Sequence, residues 1–307
     1  MTAVAATGRP PAFSAPGRFW RGCLHCHSDR SDGALSPEAV MDRYAEAGYD
    51  FVALTDHFRR EYGFPVTDTR HLRRAGFTTL IGAELHAPGP ELSAEWHIIA
   101  VGLPLDFEPL LPGETGRLLA RRARDTGAFV GIAHPAASLV SVAEAESIDA
   151  AHAVETHNEL AAREGRADSW HLYDVLLARG NRLTAYAADD AHFQPHDPPG
   201  CRSWVQVKAL SLEPGALLAA LLNGAFYSST GPEILDISHD GDGVRVRSSP
   251  VRQVLLTGGV PGCELVTGRD LTECVIPVGH LAAASHLRVT VVDDRGGRAW
   301  SNPLWWR

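Results

Sequence analysis

Over the first 230 or so residues, short apolar runs alternate with helical patterns, and that alternation limits the chain to strand–helix units laid around a largely parallel sheet. Residues 19–25, 49–55, 79–85, 96–103, 128–133, 153–156 and 182–188 read as strands, followed by 203–207. Ser36-Pro37 opens a helix that Gly48 closes, since serine caps the free amides and proline is preset for the first turn. Further helices are expected over 115–126, stopped by Gly127, over 167–178, ending at Gly180, and around 216–222. After Thr230-Gly231-Pro232 the pattern becomes short β-rich runs such as 244–247, 253–256 and 287–292 between Gly, Asp and Pro turns. The division expected is a tail at 1–18, a catalytic α/β unit at 19–232 and a small all-β, sandwich-like unit at 233–307.

Composition removes several function classes. The 307 residues carry a net charge of −9, which disfavours a nucleic-acid or anionic-membrane partner held by a basic surface. Lys208 is the only lysine, so Schiff-base or P-loop chemistry would have to rest on it. Residues 1–16 have neither a basic start nor an apolar run, and no stretch reaches the ~18 apolar residues of a membrane helix. A flexible tail and a cytoplasmic protein are expected. Cys23-Leu24-His25-Cys26-His27 matches the C-x-x-C-H signature of c-type haem attachment, which requires export. Buried roles for the two thiols are expected instead.

The chain holds 15 histidines, 12 of them before residue 200, and their positions follow the strands. His25 and His27 end the first strand, Asp56 and His57 the second, Glu84 the third, His134 the fifth, and Asp190 and His192 the seventh. Strand ends of such units converge on one mouth, where sites are built. The period-two pairs His25/His27 and Asp190/His192 each put both side chains on one strand face. One histidine of this kind is more often a packing residue, but this many strand-end coincidences point to a metal site. Imidazole with carboxylate suits Zn, Mn or Fe. His71, His152, His171, His196, His239, His280 and His286 have no strand-end position and are expected on surfaces or helix faces.

His25-Cys26-His27, Ser31-Asp32-Gly33, Thr55-Asp56-His57, Gly82-Ala83-Glu84, His134-Pro135 and Asp190-Ala191-His192 together resemble the PHP (polymerase and histidinol phosphatase) superfamily, in its order and over residues 20–230. Glu155-Thr156-His157-Asn158, Asp189-Asp190-Ala191-His192, 227–232 (YSSTGP) and 299–303 (AWSNP) look like its carbaryl-hydrolase-like branch. The resemblance implies a distorted (β/α)7 barrel holding two or three divalent transition metals. It assigns His25, His27, Glu84 and Asp190 to a first metal, Glu84, His134 and His97 to a second, and Asp32, His57 and His192 to a third. His97 opens its strand instead of ending it, against the mouth argument, and His86, two residues beyond Glu84, is an alternative or supporting ligand. Asp56 is expected to orient a ligand, and Asp189 to lie outside the ligand set or at the surface.

A cluster of this kind lowers the pKa of bound water toward ~7, so hydroxide attacks and no protein nucleophile is needed. The sequence shows no G-x-S-x-G elbow. Metal-assisted hydrolysis of a small molecule is therefore expected, with phosphoester substrates first and carbamates, esters or amides second. A nuclease or a non-catalytic module ranks below both. His192 or Asp190 is expected to deliver the proton, and His157, Asn158 and Arg30 to face substrate. A homo-oligomer is compatible with the β-rich end.

Overall fold

The structure, a computed structural model, describes residues 10–239 and 243–305. It is a mixed α/β fold dominated by one large sheet. In chain order the elements are α1 (Pro11–Ser14), β1 (Arg18–Cys23), α2 (Pro37–Glu46), β2 (Phe51–Leu54), β3 (His57–Phe58), β4 (Thr78–Pro88), β5 (Glu95–Val101), α3 (Gly116–Asp125), β6 (Phe129–Ile132), α4 (Val142–Ser147), β7 (Ala153–Asn158), α5 (Trp170–Ala178), β8 (Thr184–Ala188), β9 (Trp204–Ala209), α6 (Pro214–Leu222) and β10 (Phe226–Ser229). The β-rich end follows with β11 (Ile234–His239), β12 (Gly243–Gly258), β13 (Glu264–Pro277), β14 (His286–Val292), β15 (Arg298–Ser301) and β16 (Leu304–Trp305).

The helices begin where the sequence places their caps. Ser36 accepts from the Ala39 amide at the start of α2, and Thr115 from that of Leu118 at the start of α3. The short α4, not anticipated, is opened by a capping box between Ser141 and Glu144.

Strands run β1-β2-β4-β5-β6-β7-β8 across the sheet. At one end the chain beyond β1 bridges the chain beyond β8 at Cys26 and Ala191, with the His27 amide donating to Ala191 and the Asp190 amide to His25. This arrangement departs from a (β/α)7 repeat. β4 and β5 form an antiparallel pair with no helix between them, β5 and β6 are antiparallel as well, and away from the Cys26 end β1 turns to pair with β9. The physical reason is the connection length: only residues 89–94 join β4 to β5, too few for a parallel crossover.

Central strands are buried on both faces, which explains their unbroken apolar runs. Ile99 and Val101 of β5 pack with Phe51, Phe129 and α6, whereas Ile98 and Ala100 pack with α3 and α5. Gly131 of β6 lies so close to the Tyr186 ring that a Cβ would approach it to 2.6 Å. The C-terminal strands enclose a third core that includes Val246, Val254, Leu256, Val289 and Val291. They are all-β as expected, but the β10–β15 pairing joins them to the same sheet. Residues 10–18, placed in the flexible tail by the sequence reading, instead carry α1, whose Phe13 is buried against Phe19 and Tyr227; residues 1–9 lie outside the described residues. No described helix is long and apolar enough to cross a membrane.

Candidate metal centre

The mouth where β1 and β8 meet gathers the ligand-type residues around one buried carboxylate, Glu84 of β4. Its Oε1 lies 2.7 Å from His97 Nδ1 and 3.3 Å from His134 Nε2. Its Oε2 lies 2.5 Å from His57 Nδ1, 3.6 Å from His86 Nε2, and 3.7 Å from Nε2 of both His25 and His27. Asp190 Oδ1 stands 3.1 Å from His25 Nε2 and 3.0 Å from His27 Nε2. On the rim Asp32 faces His57 at 3.4 Å and His192 at 3.3 Å. Donor atoms close enough to share an ion group as His27, Asp32, His57 and His192; as His25, His134 and Asp190; as His25, His27 and Glu84; as His57, Glu84 and His86; and as Glu84, His97 and His134.

Strand register produces this focus. β3 pairs in parallel with β4, setting His57 opposite Glu84. β5 runs antiparallel to β4, so its start lies at the carboxyl end of β4, and His97 reaches the mouth from the beginning of its strand. The mouth argument failed for His97 because it assumed a parallel strand. The same pairing sets His86 opposite His97, and His86 Nε2 lies 2.9 Å from His57 Nδ1. His134 and Asp190 both hold positive φ, at 24° and 52°, a conformation that non-glycine residues adopt at a cost and that recurs at functional sites.

The electrostatics are those of a cage for cations. Glu84 Oε2 and His25 Nε2 meet only other ligand-type atoms of the cluster, at 2.5 Å from His57 and 3.1 Å from Asp190, while His27 Nδ1 is buried with no hydrogen-bond partner, an orphan that costs about 1–3 kcal/mol. Glu155, fully buried, accepts from His25 Nδ1 at 3.1 Å. A carboxylate can only accept here, so Nδ1 donates to Glu155 and Nε2 is aimed at Asp190 and Glu84. Against burial, Asp190 and Glu155 hold the His25 pKa well above its ordinary value. Against burial, His57 and His97 hold Glu84 well below the carboxylate range. Glu84 and Asp32 push His57 up to about 10 against the same burial, whereas burial and the neighbouring His192 bring His27 down to about 3. Histidines split in this way around shared carboxylates have room for a cation where protons now stand. These donors are of the type that holds a divalent transition metal, and Glu84 has a different imidazole set on each oxygen.

Around the cage lies a shell the sequence only partly revealed. Glu155 had no assigned role; like Glu84 in β4 it is a fully buried carboxylate inside its strand, and it also accepts from the His134 amide at 2.6 Å. Asn158, read from the sequence as facing substrate, donates to Glu155 Oε2 and to Asp190 Oδ2. His157, half-buried, is held by Asp168 at 3.0 Å and Glu159 at 3.5 Å and stacks on Trp300, away from the mouth. Arg30 is exposed beside Asp29, also outside the cleft. Asp56 accepts from the Ser28 amide and from the hydroxyls of Ser28, Ser31 and Thr67, orienting the Asp32 loop and not an imidazole. Asp189 is buried and takes the amides of Cys201, Arg202 and Ser203. Cys23 and Cys26 are buried against α2. His239 and His286 are buried in the β-rich end, contrary to the surface reading.

The opening beside the cage is a cleft of about 330 Å³ lined by His57, His97, His134, Ser138, Asp190 and His192. A carboxylate–imidazole cage on strand ends of an α/β sheet defines a metal-binding α/β protein. Residues 24–167 match the PHP domain family. The whole chain also superposes on a two-domain protein from Bacteroides vulgatus assigned a PHP-like metal-dependent phosphoesterase, at TM-score 0.53 and 15% identity over 97% of this chain and 100% of that one. An amidohydrolase from Chromobacterium violaceum with bound sulfate (TM-score 0.42, 17% identity, 56% and 87% covered) and a protein from Bifidobacterium adolescentis assigned as a metal-dependent phosphoesterase (0.42, 14%, 60% and 91%) are similar over part of the chain. No curated protein matches the sequence.

Proposed function

We propose that this protein is a metal-dependent hydrolase acting on a small phosphoester. The observation that carries the reading is Glu84: one buried carboxylate whose two oxygens face separate imidazole sets, His57 on one and His97 on the other. His25, His27, Glu84 and Asp190 would hold a first ion, Glu84, His97 and His134 a second, and Asp32, His57 and His192 a third. Bound divalent ions supply an acidified water and neutralise the charge of a phosphoryl oxygen.

The chain's own groups do the rest. His134, steadied by Ser138 Oγ at 3.1 Å from its Nδ1, directs Nε2 toward Glu84. Asp190 is held well below the carboxylate range by His25 and its other imidazole neighbours, against burial, which suits a ligand and not a proton carrier. His192 is pushed upward by Asp32 and Asp190 against burial, with Nδ1 donating to the Asp190 carbonyl; its Nε2 serves as a ligand when a third ion is bound beside Asp32, and in a two-ion centre it is instead the group that delivers a proton to the leaving oxygen. The cleft volume sits at the small end of ligand sites. We assign catalysis to residues 19–232, with 233–307 as an added β unit.

A second reading rests on the lining itself. Among the described residues no arginine or lysine borders the cleft, and Arg59 is paired with Glu95 outside it, which favours an uncharged carbamate, ester or amide and agrees with the resemblance to the carbaryl-hydrolase-like branch. Metal-loaded protein run against aryl phosphates, nucleotides, aryl carbamates and aryl esters, with His25→Ala as the blank, separates the two. Turnover of phosphates supports the first reading; turnover confined to carbamates and esters overturns it in favour of the second.

A further inference from the structure

We infer that Asn302 and Ser228 are positioning residues of the metal centre, because their side chains replace the missing strand partner of β8, the strand that ends in Asp190 and His192. The inference rests on the metal-centre reading above and explains two sequence stretches, 227–232 and 299–303, that the cage leaves unused.

β8 pairs in parallel with β7 on one side. Along a strand, successive backbone groups point alternately to the two sides. Those of Ala185 and Ala187 therefore turn away from β7, toward β10, yet no ladder joins β8 to β10. Both alanines are buried, so water cannot satisfy them. Two side chains do so instead. The Ala185 amide donates to Asn302 Oδ1 at 2.7 Å, and Asn302 Nδ2 donates to the Phe226 carbonyl of β10 at 2.9 Å. The Ala187 amide donates to Ser228 Oγ at 3.0 Å, and that hydroxyl donates to the Ala185 carbonyl at 3.3 Å. Donors and acceptors balance: each side chain gives one bond and takes one.

This clasp fixes the height of β8 at three backbone atoms. Two residues past the strand, Asp190 must set one oxygen about 3 Å from both His25 and His27 while holding positive φ. A strand free to shift by a few tenths of an ångström cannot keep both. The same C-terminal stretch places Trp300 against His157, next to the Asn158 amide that grips Asp190.

The test uses the full chain and Zn²⁺ as probe, by chelator competition and elemental analysis, at a temperature where near-UV circular dichroism shows every variant folded. Wild type is compared with Asn302→Ala, Ser228→Ala, the conservative Ser228→Thr, and Val291→Ala, a buried C-terminal residue that makes no bond to β8. Asn302→Ala and Ser228→Ala are expected to weaken Zn²⁺ binding roughly tenfold to a hundredfold. Ser228→Thr should restore it, and Val291→Ala should lower Tm with unchanged affinity. Ser228→Ala keeps the test decisive if Asn302→Ala does not fold. Unchanged affinity in the folded alanine variants, or an equal loss in Val291→Ala, overturns the positioning role alone. Wild type that binds no Zn²⁺ overturns the metal-centre reading and this inference with it.

Discussion

The two ends of the strand set β1–β8 both open to solvent, yet only one is arranged for chemistry. At the end opposite the mouth, where β7 and β8 begin, lies a larger cavity of about 790 Å³, lined among others by Arg124, His152, Arg182, Leu221 and Trp305. Its carboxylates are already matched: Glu146 takes a two-pronged contact from Arg179, and Asp149 takes Arg117 and Arg121. Its histidine, His152, accepts the Val130 amide and is brought down to about 4 by burial and Arg124, which keeps it neutral. The mouth is smaller and holds an unmatched buried imidazole nitrogen, like-charged neighbours and strained backbone. Volume marks where a ligand fits; unresolved electrostatics marks where one is required.

The sharpest break in that comparison is Glu84→Gln. Removing the shared charge should lower Zn²⁺ or Mn²⁺ affinity by on the order of 10³-fold, beyond the ten- to hundredfold typical of an outer partner, and elemental analysis after dialysis against free metal reads it. Asn158→Ala removes only the support behind Asp190 and Glu155, and a loss of about tenfold to a hundredfold is expected in the same assay. An effect equal to that of Glu84→Gln would make Asn158 a ligand in its own right.

The His157–Asp168 pair, beside the mouth but outside it, gives a smaller effect read as stability against pH. Against burial, Asp168 and Glu159 raise His157 to about 9, above its unfolded value near 6.5. The contribution is therefore full below pH ~6.5 and is lost as pH rises through about 9. The Tm gap between wild type and His157→Gln should be about 3 °C or more at pH 6 and fall below about 1 °C at pH 10. A gap that widened with pH would mean that His157 is neutral in the fold. The smallest effect belongs to the opposite end: Arg182→Ala should leave metal affinity and kcat/KM within about twofold. A larger loss would show that the larger cavity takes part in the chemistry.

Much of this was legible in the residues. The strand cores, the caps of α2 and α3, and the positions of His25, His27, His134 and Asp190 just past their strands follow from apolar runs, helix signals and residue type, because each is decided within a few neighbours; Glu84 instead lies inside β4, which runs on to Pro88, and His57 opens β3. Glu155 stood inside the short, mostly polar β7 (AVETHN), where a carboxylate reads as exposed unless its partners are known. The partners of His157 and Asn158 could not be read from sequence, because neighbouring residues on a strand point to opposite faces, and which face meets the mouth depends on register.

Local sequence thus determined the elements and supplied a set of ligand-type side chains at their ends. Only the tertiary structure decided strand direction, which brings His97 and His86 to the mouth on an antiparallel β5, and strand closure, which lets Asn302, over a hundred residues away, complete the hydrogen bonding of β8. Those outcomes rest on contacts between distant segments, and a backbone amide seeking an acceptor leaves no mark in the residues beside it.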